Sequence, residues 1–182
     1  MPHQDSAIAI ASAIATARGS GTSADNTPSR ALGAAPLQVV AFRLGGQDYA
    51  FEITKVKEVI MPEGITSIPQ VADYLIGLIN LRGSLVPVVD LRLRLQLGDG
   101  HIDEHSRILI TRIGARTVGF IVDAVSQVMR IPRAEIHDPP ETVARVAQKY
   151  ISGVAMRPGR PLLILLDSTA ILSDVELDRV TA

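Results

Sequence analysis

An internal repeat constrains the fold of this chain more than any other feature of its sequence. Residues 39–60 align without a gap to residues 108–129, 69 positions further along the chain. The segment VVAFRLG matches ILITRIG, and YAF matches VGF. A glycine–strand–turn–strand–aspartate pattern also recurs, first over Gly77–Asp90 and then over Gly153–Asp167. Chance similarity between two β-rich segments is the alternative, but the unbroken register favours one small β unit used twice.

Each copy of the repeat consists of short runs with a period of two, which is typical of half-buried strands. Such runs predict strands at 37–44, 49–53, 55–61, 107–113, 117–123, 124–131, 151–157 and 161–167. A hairpin over 77–92 adds two more strands. After Asp90 a short helix competes with a further strand, and helices are predicted within 139–150 and 168–177. The expected fold is mainly β, with two units of about five strands side by side, as small barrels or rolled sheets.

The folded part is expected to begin at Leu37, because the residues before it are rich in Gly, Ser, Thr, Ala and Pro. The Ala-rich stretch 7–17 is preceded by MPHQDS, which lacks the Lys or Arg that starts a signal peptide. We expect residues 1–36 to form a disordered Ala/Ser/Gly-rich tail and residues 37–177 to form one folded domain. Within that domain, lobe one is expected over about 37–98 and lobe two over about 106–172.

The bulk composition argues against several classes of partner. The net charge is −1 and aromatic residues make up 3% of the chain, so neither a basic footprint nor a set of stacking platforms for nucleic acid is present. No apolar run approaches the roughly 18 residues of a membrane span, so no direct membrane insertion is expected. Cysteine is absent, which excludes disulfides and thiolate chemistry.

Few residues form a pattern that carries chemistry. His101 and His105 have the spacing of helical zinc ligands, but they lie in a Gly-rich polar segment that favours a solvated loop. Asp90, Asp123 and Asp167 each follow a predicted strand, where capping of the next segment is the expected role. A small hydrolase or metal-dependent enzyme that uses these residues is the alternative. No nucleophile motif supports it, so no catalytic residue, metal or cofactor is expected.

The hairpin GLINLRGSLVPVVDLR, residues 77–92, is unusual because polar residues interrupt an apolar pair of strands. A turn at Gly83-Ser84 would place Arg82 opposite Leu85 and Asn80 opposite Pro87, on the face away from the core. Proline cannot donate to a ladder, so an edge strand or a bulge is predicted there. An apolar patch beside an arginine indicates a protein interface. The alternative is that Arg82 pairs with a nearby carboxylate.

These segments resemble the CheW-type chemotaxis coupling proteins. GLINLRGSLVPVVDLR is similar to the family's signature stretch, and LGGQDYAFEITKVKEVI, VGFIVDAVSQVMRI and YISGVAMRPGRPLLILLD resemble three further segments in the same order. The resemblance covers about residues 37–177. It implies two five-stranded, SH3-like β-barrels and no enzymatic activity. The residues that match the family's contact positions, together with the apolar residue from the hairpin, form the candidate partner-binding set: Val56, Glu58, Val59, Gly77, Asn80, Arg82, Gly83 and Leu85.

The resemblance also implies a function and a location. Proteins of this kind are cytoplasmic adaptors in receptor arrays at the inner membrane. They bridge the cytoplasmic tips of methyl-accepting chemotaxis receptors to the regulatory domain of a CheA-type histidine kinase. We therefore expect a chemotaxis coupling adaptor without a cofactor. A CheW-like adaptor of a non-flagellar array, with output to pili, biofilm or a second messenger, is the alternative.

Overall fold

The computed structural model describes residues 35–139, 149–172 and 176. The expected tail, apart from residues 35 and 36, lies outside these residues, as do most of the helix predicted over 139–150 and the end of the helix predicted over 168–177. Strands dominate the described part of the chain. They are β1 Leu37–Leu44, β2 Gln47–Glu52, β3 Val56–Ile60, β4 Leu75–Leu81, β5 Ser84–Asp90, β6 Arg107–Ile113, β7 Arg116–Val122, β8 Ala124–Ile131, β9 Ile136–His137, β10 Ile151–Ala155 and β11 Leu163–Leu166.

Short helices follow two of the strands, and an aspartate lies immediately before each helix. Helix α1, Leu91–Arg94, follows β5, and helix α2, Ser168–Ile171, follows β11. The Asp90 side chain accepts hydrogen bonds from the Arg92 and Leu93 amides, and the Asp167 side chain accepts one from the Thr169 amide. These contacts satisfy backbone donors that the first turn of a helix leaves unpaired. The capping role expected for Asp90 and Asp167 is confirmed.

The strands form two sheets that do not follow the two halves of the chain. Sheet I has the order β8-β1-β2-β11-β10-β9, and sheet II has the order β3-β6-β7-β5-β4. The chain crosses from sheet I to sheet II after β2 and returns after β7. Sheet pairing therefore crosses the boundary expected between lobe one (about 37–98) and lobe two (about 106–172). Periodicity predicts strands but not their partners, so this exchange was not visible in the sequence.

The repeat is present in the pairing registers. Val39 pairs with Glu52 in the first hairpin, and Ile108 pairs with Ile121, each 69 positions later, in the second. A bulge between Ala41 and Phe42 in the β1–β8 pair recurs in the β3–β6 pair at the equivalent positions. The expectation of a mainly β fold built from one unit used twice is confirmed, with the two-residue β9 added at one edge.

The core joins the two sheets and is mostly aliphatic. Phe51 from sheet I and Phe120 from sheet II, which occupy equivalent positions in the repeat, lie 5.5 Å apart between ring centroids. Both are fully buried, as are Val40 and Leu109 in the same cluster. Aromatic pairs at this spacing add about 0.5–1.5 kcal/mol beyond area burial. The contact between equivalent residues ties one copy of the repeat to the other.

A second joint lies at the helices. The Arg94 guanidinium lies 4.5 Å from the ring centre of Tyr74 and 5.5 Å from that of Tyr150. Its Nε donates to the Ile171 carbonyl at 2.7 Å, and its Nη2 pairs with the Glu176 carboxylate at 3.0 Å. One side chain of α1 thus connects α2 with two tyrosines at the starts of equivalent hairpins.

Asp123 does not cap a helix, so that expectation was wrong. Its carboxylate pairs with the Arg92 guanidinium and also accepts from the Gly45 amide at 2.8 Å. The residue after it begins β8, so no helical turn presents free amides to this side chain. Asp123 instead connects α1 to the β1–β2 turn.

Candidate functional site

The turn between β4 and β5 differs from the expected one by one residue. Leu81 pairs with Ser84 and Asn80 pairs with Leu85, so the two central residues are Arg82 and Gly83, not Gly83 and Ser84. Both have positive φ, +52° and +87°, as a type I′ turn requires. The Asn80 side-chain oxygen accepts from the Gly83 amide at 2.8 Å, which stabilises the turn.

The turn places Arg82 at the tip of the hairpin in a backbone conformation that non-glycine residues rarely adopt. Asparagine and glycine are preferred at this turn position, and an arginine there costs conformational free energy of about 1 kcal/mol. Strained residues of this kind cluster at functional positions. The conformation of Arg82 is therefore a second indication, beside its exposure, that the tip of this hairpin has a role beyond folding.

Pro87 is buried and lies on an inner strand, so its predicted place on the face away from the core and the edge-strand alternative were wrong. The bulge alternative fits better, because the β4–β5 register shifts between Leu75 and Gly77, next to the Leu78–Pro87 pair. β5 lies between β7 and β4. Pro87 faces Leu78, whose amide and carbonyl form hydrogen bonds to Thr66 on the other side, both at 2.8 Å. The ladder with β7 begins one residue later, at Val88. A missing donor at Pro87 therefore breaks no bond in either ladder.

Arg82 and Glu58 form an ion pair across the hairpin and β3. The Arg82 Nη2 lies 2.9 Å from the Glu58 Oε2, while the arginine side chain keeps 80% of its surface exposed and the glutamate 25%. Such an exposed pair contributes about 0.2–1 kcal/mol and is readily exchanged for another partner. The alternative prediction, that Arg82 pairs with a nearby carboxylate, therefore agrees with the structure. This pair leaves most of the guanidinium accessible.

The residues around this pair line an open groove, called the Arg82 groove from here on. Its lining is Lys57, Glu58, Leu81, Arg82, Ser84, Leu85, Val86, Arg116 and Thr117. Leu85 is 68% exposed, the largest value among the exposed large apolar side chains that the structure describes. The Lys57 ammonium donates to the Thr117 hydroxyl at 2.9 Å. Three basic residues and one acidic residue therefore surround an exposed leucine.

Three members of the predicted partner-binding set are buried or half-buried within the fold. Val56 is fully buried in the core, and Val59 is half-buried against it. Gly77 is also buried, and a Cβ there would overlap the Thr66 carbonyl oxygen and lie 2.9 Å from the Ile65 Cγ2. The remaining five, Glu58, Asn80, Arg82, Gly83 and Leu85, lie together at the end of the hairpin. Lys57 and Arg116 complete the groove and were missed, because only the pairing of β3, β6 and β7 brings them there.

Comparisons with known proteins agree with this architecture. A family model described as the CheW-like domain matches residues 38–176. The chain belongs to the CheW-like domain family.

Individual relatives extend this result. The chain is 35% identical to a chemotaxis protein CheW of Bacillus subtilis over 135 residues, which are 74% of this chain and 86% of the relative. It is 33% identical to the CheW of Klebsiella aerogenes over 140 residues, 77% and 84% of the two chains. A solved structure, the scaffolding protein TtCheW from Thermoanaerobacter tengcongensis, matches with a TM-score of 0.69 and 33% identity, over 75% of this chain and 92% of that one. The resemblance to CheW-type chemotaxis coupling proteins is confirmed by the family match and by these relatives.

The other candidate residues of this CheW-like domain do not converge on a reactive centre. His105 lies in a loop beside Glu104, and its amide donates to the Asp103 carboxylate at 2.8 Å. Among the described residues, no three His, Asp or Glu side chains lie close enough to hold a metal ion. In the same part of the chain, no helix has the length and apolar character needed to cross a membrane.

Proposed function

We propose that this protein is a non-enzymatic adaptor that couples the cytoplasmic tips of methyl-accepting chemotaxis receptors to a CheA-type histidine kinase. The Arg82 groove is its contact with the kinase regulatory domain. The proposal rests on one observation above all: a CheW-like domain that presents an accessible arginine on a tight hairpin turn beside an exposed leucine. We place the protein on the cytoplasmic side of the inner membrane, in receptor arrays.

The chemistry of the groove supports a protein contact. An exposed apolar side chain rimmed by arginines is typical of interface centres, where Arg contributes a planar fork of donors and Leu85 contributes area removed from water. The pair with Glu58 favours one position of the guanidinium before binding, which reduces the conformational entropy lost on association. A partner carboxylate can then share or replace Glu58.

Holding two partners at once gives the adaptor its effect. A kinase and a receptor that bind the same adaptor encounter each other at an effective concentration set by its dimensions, not by their bulk concentrations. A change of receptor state that alters its affinity for one kinase conformation then shifts the kinase equilibrium. No bond is made or broken by the adaptor in this scheme.

Calorimetric titration with the regulatory domain of the cognate kinase tests the proposal. Arg82→Glu places a carboxylate beside Glu58, and we expect it to weaken binding at least tenfold, about 1.4 kcal/mol. Arg112→Glu is the matched control, since Arg112 is exposed on β6 of the same sheet and lies outside the groove. We expect its binding to equal that of the wild type.

Two results would contradict this assignment. Equal binding by the Arg82→Glu variant and the wild type would remove the groove from the kinase contact. A large fall in melting temperature for Arg82→Glu, with normal affinity of the remaining folded protein, would mark the arginine as structural.

A further inference from the structure

A second groove lies on sheet I at the place that the repeat equates with the Arg82 groove. Gln127 lines it and follows Glu58 by 69 positions, and Asp48 lines it and precedes Thr117 by 69 positions. Leu163 lines it and follows Val86 by 77 positions, as Asp167 follows Asp90. The two grooves are therefore built from equivalent strands. The second one, called the Arg157 groove, differs in its charged residues.

Arg157 is poorly satisfied within this groove. Its Nη1 donates to the thioether sulfur of Met129 at 3.1 Å, and its Nη2 lies 3.4 Å from the Pro161 carbonyl oxygen. Its Nε is buried and has no hydrogen-bond partner. A thioether is a weak acceptor, and a guanidinium offers five donors. The buried Nε has thus lost hydration without gaining an acceptor in its place.

Other arginines of the described chain have stronger acceptors than a thioether. Arg107 and Arg112 donate to backbone carbonyls at 3.0 Å or less. Arg43, Arg82, Arg92 and Arg94 each pair with a carboxylate. Arg157 pairs with no carboxylate among the residues that the structure describes.

One acidic residue lines this groove, and its carboxylate pairs with another arginine. Asp48 lines it, but its carboxylate lies 3.6 Å from the Arg43 Nε. Arg160 lines the same groove and its side chain is exposed, which adds a second positive charge. Leu162, 44% exposed, and Met156, 53% exposed, are the chain neighbours of the lining residues Pro161 and Arg157. The surroundings suit an anion carried on an apolar chain.

We propose that the Arg157 groove is a second docking site, which binds an acidic side chain on an extended segment of a protein partner. The carboxylate accepts from the Arg157 guanidinium and is also attracted by Arg160, while neighbouring apolar residues of the segment contact Leu162 and Met129. This site goes beyond the kinase contact proposed for the Arg82 groove, and its test uses neither kinase nor receptor. The failure of one assignment therefore leaves the other standing.

The test is a nuclear magnetic resonance titration of the full chain with a blocked peptide, acetyl-Gly-Glu-Leu-Glu-Gly-amide. The side-chain Nε–H signal of Arg157 and the backbone amide signals of Gly159 and Gln127 report on this groove. We expect saturable shifts of these signals, and no such shifts with the peptide in which both glutamates are glutamines. Arg157→Gln is expected to weaken binding about tenfold, the loss of one charge-assisted contact. Arg160→Gln, at an exposed turn position, is expected to weaken it less, and Arg112→Gln not at all.

Several outcomes would overturn the proposal. They are the absence of shifts at Arg157, equal shifts with the glutamine peptide, and binding that is unchanged in both the Arg157→Gln and Arg160→Gln variants. The Arg160→Gln variant keeps the test decisive if the loss of Arg157 disturbs folding, which the backbone spectrum reveals.

Discussion

A substitution at Gly77 tests whether this member of the predicted partner-binding set is needed for folding or for contact with a partner. It has a φ of +155°, in a range that L side chains rarely adopt. Its missing side chain also allows Thr66 and Leu78 to approach and exchange two hydrogen bonds of 2.8 Å each. Gly77→Ala would introduce a Cβ that overlaps the Thr66 carbonyl oxygen and lies 2.8 Å from its carbon. The strand or the Thr66 segment must then move.

The expected cost follows from these contacts. The backbone conformation contributes about 1 kcal/mol for a residue with a Cβ. Weakening both Thr66–Leu78 hydrogen bonds adds about 0.5–1.5 kcal/mol for each. We therefore expect Gly77→Ala to lower the free energy of unfolding by about 3 kcal/mol, or the melting temperature by roughly 6–12 °C.

Urea unfolding followed by circular dichroism measures this change, with Gly46→Ala as the matched control. Gly46 has a φ of +82° and nothing within 4 Å of a Cβ position, so this variant carries the conformational cost of about 1 kcal/mol alone. Equal stability of the two variants would refute the steric argument. Near wild-type stability of Gly77→Ala, combined with lost binding to the kinase regulatory domain, would make Gly77 a contact residue.

Three further predictions concern single side chains. Arg82→Asn puts a preferred residue in the type I′ turn but removes the exposed ion pair with Glu58, so we expect a net rise in stability of about 0.5 kcal/mol. Binding to the kinase regulatory domain should fall. A lower stability of this variant would contradict the argument that the Arg82 backbone is strained. Asp90→Ala should cost about 1 kcal/mol by urea unfolding, and Asp90→Asn, which keeps an acceptor, should cost less. Burial raises the pKa of Asp90 in the folded protein above its ordinary value in the unfolded chain. The stability contributed by this carboxyl should therefore fall as the pH rises from the unfolded-state pKa through the folded-state pKa. The Asp90→Asn variant should lack this dependence on pH. Burial, and to a smaller extent the hydrogen bond to Glu176, raise the pKa of Tyr74 to about 12. Glu176→Gln should therefore lower the pKa of Tyr74 while leaving it above 10.0, which an ultraviolet titration measures. An unchanged pKa would refute the Tyr74–Glu176 contact.

Local structure was largely predictable from the sequence, whereas pairing was not. The strands Leu37–Leu44 and Arg107–Ile113 match their predicted bounds, because alternation of apolar residues is a local property. The turn was misplaced by one residue, since Gly83-Ser84 fits a type II′ turn with glycine first, and no local pattern predicts an arginine with positive φ. Lys57 on β3 and Arg116 on β7 lie at the site only because β3 and β7 both pair with β6, and the order of the strands in the sequence does not predict this pairing.

The Arg157 groove shows the same limit at a candidate site. Its position follows from the repeat, which the sequence displays. Its chemical character does not, because the poor satisfaction of Arg157 depends on where Met129 and Pro161 lie in the folded chain. Burial without an acceptor is a property of three-dimensional packing, and no spacing of residues encodes it.

The crossing of the chain between the two sheets determines how the molecule responds to force. Each copy of the repeat contributes strands to both sheets, and the Phe51–Phe120 contact lies between them. A hinge between the sheets would have to break this packing along with the ties made by Arg94 and Asp123. We expect torque applied at one groove to be transmitted to the other through the covalent chain and the packed core. We therefore expect an adaptor of this construction to act as a stiff spacer, which transmits the orientation of the partner it holds as well as its presence.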